Sequence, residues 1–175
     1  NMRGRGFLEG DNTGVGKGRV LAALARHAVL NGRRVVFLTE NGTLFTDFWR
    51  DIRHIGSEHL FKPFILNDGM AAYDPITGKT VIPSTPKSVV ARALESNGLD
   101  ESYNLVFATY SQFNRDPVTS AKARWLSHVA EGAALLLDES HNAAGDSNTS
   151  QNIARALNGC HTVVYSSATS IKDCS

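Results

Sequence analysis

Short unbroken apolar runs alternate with longer stretches of helical spacing along most of the chain. Val35-Val36-Phe37-Leu38, residues 105–109 and residues 133–137 show no in-out alternation, so they predict strands covered on both faces, as in a parallel sheet. Between them, Val20, Leu21, Leu24, Ala25, Ala28 and Val29 place one apolar face on a helix over 17–30, closed by Asn31-Gly32 in a left-handed cap. Residues 43–55 put Leu44, Phe45, Phe48, Ile52 and Ile55 on one face and Asp47, Arg50, Asp51 and Arg53 mostly on the other, predicting a second helix. Further helices are expected over 88–95, ending at Asn97-Gly98, over 120–130 around Ala123, Trp125, Leu126 and Val129, and over 151–157. Residues 7–9, 61–66 and 161–165 read as additional strands, the last as the final one. The alternation predicts an α/β fold with a doubly wound, mainly parallel sheet and helices on both faces. Residues 67–88 interrupt it: Asn67-Asp68-Gly69 opens the segment, 73–82 suggests a small hairpin or ordered loop, and Pro83 and Pro86 end it. It reads as an insertion with no assigned role.

Composition narrows the class without naming an activity. A chain of 175 residues with 42% hydrophobic and 20% charged positions suits one soluble domain with a substantial core. A formal net charge of +1 gives no global field for nucleic acid, so any such binding must use a local groove or parts outside this chain. Cys160 and Cys174 cannot make a disulfide scaffold and have no metal-ligand company, which points to a reducing compartment. No apolar run reaches membrane-spanning length and residues 6–9 are too short for a signal-peptide core, so no membrane partner and a cytoplasmic location are expected. The main motif lies almost at residue 1, which suggests a piece of a longer protein.

That motif is Gly10-Asp11-Asn12-Thr13-Gly14-Val15-Gly16-Lys17-Gly18-Arg19. Glycines let successive backbone N–H groups approach an anion, and the following helix points its positive end at the same place. Residues Asp11 to Arg19 are therefore candidate nucleotide-binding positions, with Lys17 neutralising the outer phosphates of a nucleoside triphosphate. Arg19 either approaches the nucleotide or faces solvent. The strict pattern G-x-x-x-x-G-K-[ST] would need Gly at 11 and a hydroxyl at 18; Asp11 and Gly18 stand there instead. An ordinary strand-to-helix turn rich in glycine is the alternative. The second half of the site is Asp138-Glu139-Ser140-His141, at the carboxyl end of the 133–137 run, where open α/β sheets place ligands. Asp138 is suited to hold Mg²⁺, through water, and Glu139 to orient or deprotonate the water attacking a γ-phosphate. The competing reading is a strand end in solvent, and it weakens once both motifs sit on one sheet.

Residues 10–17 resemble motif I of superfamily 2 helicases, whose first position need not be glycine, and Asp138-Glu139-Ser140-His141 resembles their DExH box. Ser167-Ala168-Thr169 is similar to motif III, and Phe107-Ala108-Thr109-Tyr110-Ser111 to the Thr-Tyr segment of Swi/Snf-type relatives. The form Gly-Val-Gly-Lys-Gly-Arg resembles the strawberry notch group, which also occurs in phage and bacterial proteins joined to methyltransferases; within it Gly18 looks like a group trait. The resemblance implies that residues 1–175 are the first of two RecA-like domains, binding ATP and Mg²⁺, with the second domain supplying an arginine finger. It implies Lys17, Asp138 and Glu139 as catalytic residues, with Asp138 on the metal. His141, Ser167 and Thr169 would couple the nucleotide to a nucleic acid, expected to be duplex DNA, and Thr39, Asn41, Thr109 and Tyr110 would touch its backbone. A companion methyltransferase domain and, for a phage protein, residence in the host cytoplasm or virion would follow. The alternative function is a nucleotide-gated interaction module with little catalysis, motivated by Gly18; a P-loop kinase would need an acceptor-binding segment that is not evident. His27, His54, His59, His128 and His161 have no ligand spacing, and residues 146–150 read as a loop and helix cap.

Overall fold

The computed structural model describes residues 14–140, 147–166 and 170–174. The expected strand at 7–9 lies outside them. In chain order the elements are α1 (Gly14–Leu30), β1 (Val35–Thr39), α2 (Thr43–His54), β2 (Pro63–Ile65), β3 (Ala72–Tyr73), β4 (Thr80–Ile82), α3 (Lys87–Ser96), β5 (Leu105–Thr109), α4 (Ala121–Val129), β6 (Ala134–Leu137), α5 (Ser147–Leu157), β7 (Thr162–Tyr165) and β8 (Ser170–Asp173). Single 3-10 turns at Glu58–Leu60 and Tyr110–Phe113 complete the set.

The apolar runs became the centre of a six-stranded sheet of order β2-β5-β1-β6-β7-β8. Its first five strands are parallel, and β8 returns antiparallel along β7. Every residue of β1, β5 and β6 is buried, as runs without alternation require of strands covered twice. Alternate side chains serve different cores. Val36, Leu38, Val106, Ala108, Leu135 and Leu137 pack with Trp125, Leu126, Ile153 and Ala156 under α3, α4 and α5. Val35, Phe37, Leu105, Phe107, Ala134 and Leu136 pack with Leu21, Ala25, Phe45, Phe48 and Ile52 under α1 and α2. The mainly parallel α/β architecture is thus the one the pattern predicts.

Differences from the sequence reading have local causes. Helix α1 starts at Gly14 rather than at Lys17, so the last residues of the glycine loop already form its first turn. Helix α5 starts at Ser147, which corrects the loop assigned to 147–150. Polar residues tie that extra turn to the chain after β5: Thr149 is buried and the Asn148 amide donates to the Asn114 carbonyl at 3.3 Å, while one turn further on the buried Asn152 amide donates to the carbonyls of Phe113, at 2.9 Å, and Arg115, at 3.0 Å. The segment 67–88 does form a small β3–β4 hairpin, but Ala72 and Ile82 enter the α1–α2 core. The Thr85 hydroxyl also accepts from the Ile65 N–H at 2.8 Å, which ties the segment to β2.

The final strand is β8, not β7, and the β7–β8 hairpin sets Cys160, just before it, beside Cys174, just after it. The two cysteines are joined, with Cα atoms 5.6 Å apart. The antiparallel return of the chain, which no apolar run announces, is what brings them together.

Phe107 anchors the α1–α2 core. It meets Phe37 and Phe48 edge-on at centroid distances of 5.7 and 6.0 Å and Phe45 at 4.8 Å, and it is fully buried. Phe107→Ala should lower the unfolding free energy by about 3–5 kcal/mol in urea titration, and a loss below about 1 kcal/mol would show that the cluster is not tightly packed.

Candidate nucleotide site

Parallel register brings the ends of β1, β5, β6 and β7 to one edge of the sheet. Leu38 aligns with Ala108, Leu137 aligns with both Leu38 and Tyr165, and Thr39 aligns with Thr109. The next residue after β6 is Asp138, whose N–H donates to the Leu38 carbonyl at 2.9 Å, while the Ser166 N–H donates to the Leu137 carbonyl at 3.1 Å. The ladder therefore continues one step beyond the strands and aligns three polar side chains. Thr39 Oγ1 donates to Asp138 Oδ2 at 3.2 Å, and Ser166 Oγ donates to Asp138 Oδ1 at 2.6 Å.

Asp138 is only 6% exposed, and burying a carboxylate is costly unless it is hydrogen-bonded and paired. Lys17 provides the charge. Its Nζ lies 3.6 Å from Asp138 Oδ1 and 3.6 Å from Glu139 Oε2, so one ammonium serves both carboxylates. Lys17 belongs to the first turn of α1, whose N-terminal end favours negative charge. Glu139 has φ +53°, a left-handed conformation uncommon outside glycine. Its side chain is 38% exposed, in contrast to Asp138.

Tyr110, in the 3-10 turn that follows β5, supports this turn. Its hydroxyl donates to the Asp138 backbone carbonyl at 2.8 Å. Burial pushes the phenol far above its ordinary range, and the charges of Asp138, Glu139 and Glu40 push the same way, so it stays a proton donor. Thr109 is also committed within the protein: its N–H donates to Asn67 Oδ1 at 3.1 Å and its hydroxyl accepts from Asn67 Nδ2 at 2.8 Å.

A cavity of about 480 Å³ opens beside these groups, lined by Lys17, Asp138 and Glu139 together with Gly18, Leu21, Phe37, Phe48 and Asp51. Among the described residues no three acidic, histidine or cysteine side chains converge as a metal cage. The Asp138 and Glu139 carboxylates on the cavity wall are oxygen donors of the kind Mg²⁺ takes one or two of, with water and phosphate oxygens filling its remaining positions.

Of the sequence-predicted residues, Lys17, Asp138 and Glu139 come together. Gly14, Val15, Gly16, Gly18 and Arg19 lie in α1. Arg19 is exposed with its guanidinium 3.5 Å from the His54 ring. Asp11, Asn12, Thr13, His141, Ser167 and Thr169 fall outside the described residues. Of the four positions assigned to a nucleic-acid backbone, Thr39, Thr109 and Tyr110 are buried with hydroxyls engaged inside the protein, whereas Asn41 is exposed and accepts from the Thr43 N–H at 3.1 Å. The sequence reading missed Ser166 and Asn67. Both are single polar residues at strand ends, and only register reveals their partners.

This arrangement of a lysine in the first turn of a helix with acidic residues after a parallel strand is that of a P-loop nucleoside triphosphatase. The chain matches the family described as P-loop containing NTP hydrolase pore-1 over residues 1–175, and it belongs to that family. It is also 26% identical over 147 residues to Protein strawberry notch homolog 1 of Gallus gallus, an alignment covering 79% of this chain. The chain spans 10% of that relative's length. No solved structure matches it significantly. The likeness to superfamily 2 helicase-like proteins of the strawberry notch group, read from the motifs, is thereby borne out.

Ser166→Ala removes the shortest bond to the buried carboxylate. It should cost about 1–3 kcal/mol, measured as a shift of the urea midpoint at unchanged slope. An unmoved midpoint would mean that Ser166 does not support Asp138.

Proposed function

We propose that the chain is the ATP-binding first RecA-like domain of a superfamily 2 DNA-dependent ATPase. The observation that carries this reading is the meeting of Lys17 with Asp138 and Glu139 where α1 begins and β6 ends. Triphosphate oxygens would take over the Lys17 ammonium, an exchange of one set of anions for another that leaves the helix N-terminus facing negative charge throughout. Magnesium, when bound, would neutralise the phosphate oxygens; Asp138, fixed by Thr39 and Ser166, would hold it, through water. Glu139, partly exposed and released from Lys17, would accept the proton of the water that attacks the γ-phosphate, as ADP leaves.

The full-length protein would complete this site with a second RecA-like domain, whose arginine finger is worth roughly 10³ to 10⁵ in rate. ATP binding with weak turnover is therefore expected of residues 1–175, and fast turnover by this chain without DNA would contradict it. Exposed Asn41, at the end of β1, is a backbone contact for duplex DNA in this reading. A second reading, a nucleotide-gated interaction module, is favoured by Gly18, because a loop without its hydroxyl would slow chemistry more than binding.

The full-length protein separates the two. Its ATPase rate with and without duplex DNA should rise with DNA, and Glu139→Gln should lower the stimulated rate by about 10² or more while ATP binding persists. Lys17→Ala should weaken binding itself. A Glu139→Gln variant that hydrolyses at the parental rate would overturn the motor assignment. Tight ATP binding without hydrolysis by the parent would establish the interaction module.

A further inference from the structure

Asp51 was assigned by helical spacing to the wet face of α2, yet it is 3% exposed. Helices α1 and α2 pack side by side, and the Asp51 carboxylate is directed at Gly18. A Cβ built on Gly18 would lie 1.9 Å from Asp51 Oδ2 and 2.9 Å from its Cγ, the first little more than a covalent bond length. An Asp51 oxygen thus occupies the space in which a side chain at position 18 would begin. In the strict phosphate-loop pattern that side chain is the serine or threonine whose hydroxyl binds Mg²⁺. Gly18 and Asp51 line the same 480 Å³ cavity as Lys17, Asp138 and Glu139.

A structural ion pair does not account for Asp51 well. Its charged neighbour within 4 Å is Arg50, at 3.7 Å, a half-exposed side chain that also reaches Asp47 at 3.5 Å. No hydrogen bond to the carboxylate occurs among the described residues. Burial pushes its carboxyl above the usual carboxylate range, with Arg50, His54 and Arg19 pulling it down and Asp47 adding to the rise. Such a group lowers stability at neutral pH, because the preference of the folded state for the protonated form is lost as pH rises through the folded-state pKa.

Resting on the nucleotide-site reading above, we propose that Asp51 replaces the missing loop hydroxyl as a ligand, direct or through one water, of the divalent cation that accompanies the nucleotide. Helix α2 then supplies by a carboxylate what other phosphate loops supply from the residue after the lysine. Glycine at 18 leaves the space that the Asp51 oxygen fills, and a side chain there would have to displace the carboxylate. The cation site so formed has two carboxylates, Asp51 and Asp138, with water and phosphate completing it, within the number Mg²⁺ accepts.

The test uses the full-length protein with a fluorescent ATP analogue, first in EDTA and then with Mn²⁺, whose binding is followed by electron paramagnetic resonance. Asp51→Asn should weaken Mn²⁺ binding to the protein–nucleotide complex by about tenfold or more, while affinity for the analogue in EDTA stays within about twofold of the parent. Its thermal midpoint in EDTA should not fall below the parent's, whereas removal of a carboxylate kept for its ion pair with Arg50 would lower it. Gly18→Ser should lower the midpoint through collision with Asp51, and the pair Gly18→Ser with Asp51→Ala should recover both the midpoint and Mn²⁺ binding. Unchanged Mn²⁺ affinity in Asp51→Asn overturns the proposal and leaves the nucleotide reading standing. Failure of the parent to bind the analogue under either condition overturns the nucleotide reading and the proposal with it.

Discussion

A buried carboxylate at the end of the central strand is the constraint that the other features serve. Asp138 is withdrawn from water, and it is compensated by two hydroxyls and one ammonium from separate parts of the chain. The hydroxyls come from the strands on either side of β6, and the ammonium from the helix above them. All three partners lie far from Asp138 in the sequence. The parallel sheet supplies them by aligning strand ends, so that its register and the geometry of the site are one quantity. A slip of one residue in β1 or β7 would turn Thr39 or Ser166 to the other face and leave the charge short of a donor.

The two cores divide the work. The α1–α2 layer carries the lysine and the wall of the cavity, and its aromatic cluster around Phe107 fixes how α2 lies against the sheet. The opposite layer carries the support: Tyr110 in a turn that follows β5, with Phe113 and Asn152 holding that turn against α5. Asn67 adds a link from the end of β2 to Thr109, so the interrupted region 67–88 reaches the same strand ends that bear the site.

The sequence reading recovered the elements whose burial is uniform. Strands such as β1 and β6 are apolar on both faces, and no partner needs to be known to recognise them. Lys17, Asp138 and Glu139 were legible because loop and strand-end motifs are local. Asp51 was not, because helical periodicity describes one helix against one core, and α2 also contacts α1 at a glycine 33 positions away. The same blindness covers Ser166, paired with Asp138 across two strands, and Asn67, paired with Thr109. Strand β8 and the Cys160–Cys174 link escaped for a related reason: both depend on a chain reversal that no apolar run announces.

The left-handed backbone at Glu139 settles how two consecutive carboxylates can face one lysine. Side chains next to each other on a continuing strand point to opposite sides of the sheet. The positive φ at residue 139 folds the second one back, so that both stand 3.6 Å from the same Nζ. Asp138 is held besides by two hydroxyls, so the torsion at residue 139 bears on the second carboxylate rather than on the first. A return of residue 139 to extended backbone would swing Glu139 away and leave Asp138 in place. The backbone turn that aims Glu139 and the hydroxyls that hold Asp138 are separate devices, so the second carboxylate of the pair can move without disturbing the first.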